Sequence, residues 1–329
     1  MELNIEQIRS LALGAAYIEQ REEGVCFHRF NREEEPVYEQ SPFYSKVFAT
    51  AGIRLEFETD ATALDMTVNA YAITSRSYFR VDILKDGQML GGIQNYDSME
   101  NGTYPAGSYP VGIYSGSFSL GDGVKKVTVQ LPWSVPCAVQ SLVLPEATFV
   151  KPLKRDKKAL IYGDSITQGY DSLNPSSAYA VRLCDWLGAE GVNKAVGGEV
   201  YCPELAEVSC GFQPDYVLVA YGCNDWHRLT QPEMEDRCQR FWSAVCRQYP
   251  DARKIALTPV WIKLGEQSQF GPFEEVENTI RRVTAQFPDI TVIRGWELIP
   301  HDPALYGDGR IHPNDKGFDR YYENLIRQL

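Results

Sequence analysis

Four short stretches in the second half of this 329-residue chain carry the residue types that acyl transfer requires: "YGDSITQG" (162–169), "AVGGEV" (195–200), "YGCNDW" (221–226) and "GDGRIHPND" (307–315). They supply a serine, glycine-flanked backbone, an asparagine, and an aspartate close to a histidine. In such chemistry the serine attacks. The histidine takes its proton and returns it to the leaving group, and the aspartate fixes the imidazole tautomer. Backbone N–H groups and an amide side chain hold the developing oxyanion. The chain has only four histidines: His28, His227, His301 and His312. Only His312 has an acid a few residues upstream in a glycine-containing loop, and Pro313 disfavours helix at that position. Taken singly, each residue has an ordinary role. A serine after a strand caps a helix, and Gly198, Asn224 and Asp308-Gly309 are turn formers. Their convergence at one end of a single sheet is what favours chemistry.

That sheet follows from residues 157–329. Apolar runs at 157–162, 191–196, 215–221, 254–260 and 290–294 read as strands. Helical patterns at 177–189, 203–209, 232–248, 273–286 and 315–328 lie between and after them, with Pro203 and Pro232 in first-turn positions. Near-continuous apolar strands alternating with helices predict a parallel sheet covered on both faces. Ligands bind such sheets beyond the carboxyl ends of the strands. Residues 1–150 have another texture. A short helix around 5–12 precedes alternating segments at 53–59, 64–73, 78–84, 125–132 and 140–146, separated by turn-rich stretches such as "NGTYPAGSYP" (101–110). This predicts antiparallel strands in a β-sandwich or jelly roll. The chain divides into 1–150 and 151–329, joined by "KPLKRDKK" (151–158), read as a solvated linker. The lack of a Gly/Ser-rich tether predicts that the two halves pack closely.

Composition narrows the function classes. The formal net charge is −12, which argues against nucleic-acid or anionic-membrane partners. No apolar run approaches the roughly 20 residues of a membrane span. The start, "MELNIEQIRS", lacks the pattern of a signal peptide. The eight cysteines include no Cys-x-x-Cys pair, so reduced thiols in a cytoplasm are expected. No metal-ligand cluster, Walker loop or Gly-x-Ser-x-Gly elbow competes with the serine, and neither metal nor organic cofactor is expected. Oligomeric state is left open, a homo-oligomer included.

The four stretches resemble the blocks of the SGNH (GDSL-type) hydrolase superfamily. Gly163-Asp164-Ser165 matches the nucleophile block, Gly198 the oxyanion glycine, Gly222-Cys223-Asn224-Asp225 the Gly-x-Asn-Asp block, and Asp308 with His312 the Asp–His block. With the upstream sandwich, the chain resembles two-domain, carbohydrate-esterase-like members with a three-layer, flavodoxin-like catalytic domain. The resemblance implies Ser165 as nucleophile and His312 as base. It implies an oxyanion hole of Ser165 N–H, Gly198 N–H and the Asn224 amide, with Asp164 as a structural partner. It further implies a small-molecule or oligosaccharide ester as substrate, most simply acetylated, with Tyr201 and Trp226 (or Tyr170 and Trp261) as stacking aromatics. One feature departs from the family: Asp308 and His312 stand one residue further apart than the usual Asp-x-x-His. Asp308, Asp302 or a dyad without an acid remain open. An acyltransferase or thioesterase with the same triad is the rival enzyme, and a carbohydrate-binding protein with a vestigial site is the rival of another class.

Overall fold

The computed structural model describes residues 1–97, 108–263 and 268–329; most of the turn-rich stretch 101–110 therefore lies outside the described residues. The five apolar runs of the second half are the strands Lys157–Gly163, Ala189–Asn193, Tyr216–Ala220, Arg253–Leu257 and Ile290–Ile293. They pair in parallel throughout, in the spatial order second, first, third, fourth, fifth. This is the flavodoxin-like order, whose ligand crevice opens between the first and third strands. Both faces are covered, which is why Leu160-Ile161-Tyr162, Val217-Leu218-Val219 and Ile255-Ala256-Leu257 are all buried.

The helices carry matching apolar stripes. In Gln231–Gln248, Met234, Cys238, Phe241, Trp242 and Val245 face inward, and a Thr230–Glu233 capping box starts the helix. The helices Tyr179–Leu187 and Asp315–Ile326 pack together through Tyr179 and Tyr321, stacked with ring centroids 4.0 Å apart.

The first half holds two antiparallel sheets. One orders Ala12–Leu13, Arg54–Thr59, Lys125–Gln130, Arg80–Lys85 and Gln88–Gln94; the other orders Tyr17–Arg21, Gly24–His28, Cys137–Val143, Ala63–Ala70 and Gly112–Ser119. Leu55, Phe57, Val81 and Val129 of the first share one core with Val25, Phe27, Met66 and Val139 of the second. The two sheets thus form a sandwich.

The basic run 151–158 is not a solvated tether. Val150–Pro152 adds a strand to the edge of Arg54–Thr59, and Lys157 already begins the parallel sheet. Between them the Arg155 guanidinium bonds Glu56 at 2.9 Å and Asp185 at 3.0 Å. Buried polar groups also join the halves. Arg29, wholly buried, donates to the carbonyls of Ala49 and Lys46 on its own side and of Asn193 and Ala195 at and just past the end of the second parallel strand. Lys194 pairs with Glu34 with both side chains fully enclosed.

Candidate active site

Ser165 sits where the first parallel strand ends. At Gly163 the chain passes so close to the next turn that a Cβ would stand 2.5 Å from Thr167 Oγ1. Asp164 then caps a single helical turn, Ser165–Gln168, by accepting the Ile166 N–H at 3.0 Å; Gly169 ends the turn at φ 107°. Ser165 is the first residue of that turn, so its own N–H has no intrahelical acceptor. Its Oγ lies 2.9 Å from His312 Nε2.

The loop before the last helix presents the histidine. Asp308 Oδ1 accepts the N–H groups of Arg310, Ile311 and His312 at 2.8, 2.7 and 3.2 Å, while Oδ2 lies 2.8 Å from His312 Nδ1. One carboxylate therefore both winds the loop and holds the ring, which accounts for the extra residue in the spacing. Gly309 takes the left-handed conformation this turn needs, φ 65°. Burial opposes ionisation of Asp308. The bond from His312, its charge and the loop N–H groups outweigh that and hold the carboxyl well below the usual range. An ionised Asp308 requires the proton on Nδ1, leaving the Nε2 lone pair toward Ser165. Asp302 is elsewhere: exposed, it caps the turn Pro303–Leu305.

The second and third strands supply the remaining groups. Gly198 stands at φ 90°, and its N–H has no acceptor among the described residues. The neighbouring Gly197 N–H is taken by Gln168 Oε1 at 2.8 Å. After the third strand, Gly222 at φ 129° packs so tightly that a Cβ would lie 2.5 Å from Pro259 and 2.8 Å from Val276. The chain then turns into the helix Cys223–Arg228, where Asn224 Nδ2 reaches Asp164 Oδ2 at 3.4 Å. Burial pushes Asp164 up to about 6, against the Ile166 N–H and the charge of His312.

One site residue was not found in the sequence. Asp171, wholly buried and at φ 74°, brings Oδ2 to 3.5 Å from His312 Nδ1, and Arg76 from the first half lies 3.5 Å from its Oδ1. Burial raises it to about 6, against the charges of His312 and Arg76. Nothing in "GYDS" marks it, because its reach depends on a left-handed turn. Asp171, Asp308 and His312 are also the one cluster of potential metal ligands among the described residues. A metal on Nδ1 would displace the Asp308 bond that orients the ring.

The aromatic residues need correction. Tyr201 is fully buried against Tyr221 and Phe241, and Trp226 is 3% exposed with Nε1 bonded to the Gly271 carbonyl. Both rings are packed into the core rather than presented as a stacking platform. Tyr170 is also buried, but its ring lies 5.4 Å from that of His312 and 4.8 Å from Trp133. Trp261 is half-buried and supports the histidine loop, accepting the Tyr306 hydroxyl on its carbonyl at 2.7 Å.

Residues 161–320 match the family described as GDSL-like Lipase/Acylhydrolase. This part of the chain belongs to the GDSL-type, or SGNH, hydrolases. The fold agrees over nearly the whole length. A salicylyl-acyltransferase from a tetracycline biosynthetic pathway superposes with TM-score 0.75 at 16% identity, covering 96% of this chain and 93% of that one. A family two carbohydrate esterase from Clostridium thermocellum, solved with cellohexaose, gives 0.65 at 15%, covering 97% and 100%. An acetyl xylan esterase from the rumen bacterium Butyrivibrio proteoclasticus gives 0.62 at 13%, covering 100% and 98%. No curated protein matches this chain in sequence. The family match over residues 161–320 makes this an esterase-type serine hydrolase. No helix among the described residues is long and apolar enough to cross a membrane.

Proposed function

We propose that this SGNH hydrolase removes small acyl groups, acetyl above all, from a hydroxylated substrate such as a carbohydrate, through an acyl-Ser165 intermediate. The observation that carries the reading is the unbroken chain Ser165 Oγ–His312 Nε2 (2.9 Å) and His312 Nδ1–Asp308 Oδ2 (2.8 Å). Ser165 Oγ bonds to the acyl carbon as its proton passes to Nε2. The tetrahedral oxyanion is held by the N–H groups of Ser165 and Gly198 and by the Asn224 amide. As the C–O bond to the alcohol breaks, the imidazolium returns the proton to the leaving oxygen. Water then repeats the sequence on the acyl-enzyme and frees the acid and Ser165. In this reading residues 1–150 form an accessory unit that buttresses the serine loop: Gln168 Nε2 donates to the Trp133 carbonyl and Trp133 Nε1 to that of Ser172.

The carbohydrate substrate is supported by the esterases that share the fold. The acyltransferase that shares it supports a second reading, in which an alcohol replaces water in the second step. A panel of acetylated oligosaccharides, read by acetate release with and without added acceptor alcohols, decides between them. Wild type should release acetate and Ser165→Ala should not. Equal release by both would reject the reading, and a product ester formed in preference to acetate would assign transfer.

A further inference from the structure

A group of cations lies beside the site in a chain that carries 44 acidic and 32 basic residues. Several enclosed cations elsewhere are paired with carboxylates, as Arg54 is with Asp185, Arg80 with Asp82, Arg155 with Glu56 and Lys194 with Glu34, while Arg29, Lys125 and Lys254 donate to backbone carbonyls. Three cations gather next to the oxyanion glycine and the histidine's neighbours. Lys46 Nζ donates to the Gly197 carbonyl at 2.7 Å, one residue from the oxyanion glycine, and has no carboxylate partner among the described residues. The Arg228 guanidinium lies 3.3 Å from where a Gly198 Cβ would stand, and it too has none. Both sit over the same Phe43 ring, each 5.0 Å from its centroid. That ring itself comes within 3.0 Å of the Gly198 Cβ position. On the other side, Tyr170, whose ring faces His312, carries Lys46 at 6.0 Å and Arg76 at 5.5 Å. Arg76 pairs with Asp171 at 3.5 Å, and that carboxylate is turned to the histidine. These cations come from three separate parts of the chain.

Gathering like charges around a half-buried lysine is unfavourable by itself. Burial, then Arg228 and Arg76, hold the Lys46 ammonium below its ordinary value. A bound anion offsets that cost. We propose that Lys46, Arg228 and Arg76 form an anion subsite beside Gly198, and that the natural ester carries a carboxylate close to the scissile bond. This rests on the reading of Ser165 as nucleophile and names the substrate class of that site. The carboxylate belongs either to the acyl group, as in a dicarboxylic half-ester, or to the alcohol, as in an acetylated uronic acid.

Two matched pairs of esters separate these sources: mono-p-nitrophenyl succinate against p-nitrophenyl butyrate, and acetylated glucuronic acid against acetylated glucose. In one pair, wild type should favour the anionic ester by roughly 10- to 100-fold in kcat/KM. The preference should shrink as salt is raised. Arg228→Gln and Lys46→Gln should each bring the ratio down, chiefly through KM of the anionic ester, and Arg228→Lys should restore most of it. Arg228 is exposed, so its replacement does not threaten folding. Hydrolysis of the neutral esters with no anionic preference in either pair, or a preference unchanged in both Gln variants, overturns the subsite alone. No turnover of any of the four esters overturns the esterase reading as well.

Discussion

At the scale of single residues, the site turns on one imidazole faced by two carboxylates of different standing. Asp308 is held ionised by four N–H groups, three from the backbone and one from the ring. Asp308→Asn should therefore lower kcat by up to about 10⁴-fold without loss of fold, because an amide admits the wrong tautomer. Asp302→Asn, which touches only its own turn, should stay within about twofold of wild type. Acetate release by both variants checks this. Asp171 is 3.5 Å from the same nitrogen and contributes charge rather than orientation. Its negative charge stabilises the imidazolium that forms as Ser165 attacks, so Asp171→Asn should lower kcat by less than about tenfold with KM little changed. An unchanged kcat would leave Asp171 as a packing residue. Ser165, Asn224 and His312 were legible in the sequence because strand ends, Gly-x-Asn-Asp and His-Pro are local patterns. Asp171, Lys46 and Arg76 were not, because only long-range folding brings Asp171 to His312 and Lys46 and Arg76 to the Tyr170 ring. Tyr201 and Trp226 show the converse error: aromatic type and position next to a motif say nothing about which way a ring points.

At the scale of elements, the five parallel strands could be read from apolar runs of five to seven residues, and they emerge with ends shifted by only a few positions. The sandwich was legible in part. Tyr17–Arg21 is too polar and Gly112–Ser119 too rich in Gly and Ser to announce strands, yet the latter pairs along its whole length with Ala63–Ala70. The basic run 151–158 was misread because its charge suggested solvent, whereas Arg155 is drawn between Glu56 and Asp185. What positions the site is the set of tight exits from the strands. Gly222 is the most constrained of these, combining φ 129° with Pro259 and Val276 at clash distance. Gly222→Ala should cost about 2 kcal/mol or more in urea unfolding. It should also depress kcat by displacing Asn224. An alanine variant of wild-type stability would mean that the exit loop is free to relax.

At the scale of the whole molecule, buried carboxyls shape the response to pH. Burial, the leading cause in each, raises Glu199 to about 8, Asp225 to about 7, and Asp164, Asp171 and Asp315 to about 6. In the unfolded chain these groups titrate near 4. Between those values the folded protein binds more protons than the unfolded one, so stability falls as pH rises from about 4 through 8. Asp308, Glu56 and Asp185 are shifted downward instead; their contribution is present above about 4 and is lost as pH falls below it. Tm should therefore peak near pH 5 and decline by several degrees toward pH 8.5, with net proton release on unfolding at pH 6.5. Calorimetry in buffers of different ionisation enthalpy reads both. A Tm that rises steadily to pH 8 would show that these carboxyls are charged and paired in the folded state.

Ser165 is expected to be the nucleophile that attacks the ester. Incubation with a fluorophosphonate, followed by digestion and mass spectrometry, reads this without reference to any substrate. One phosphonyl adduct is expected, on the peptide carrying Ser165, absent in Ser165→Ala and greatly slowed in a His312→Ala variant. An adduct on another residue, or an unlabelled Ser165 in enzyme that still releases acetate, would contradict that role.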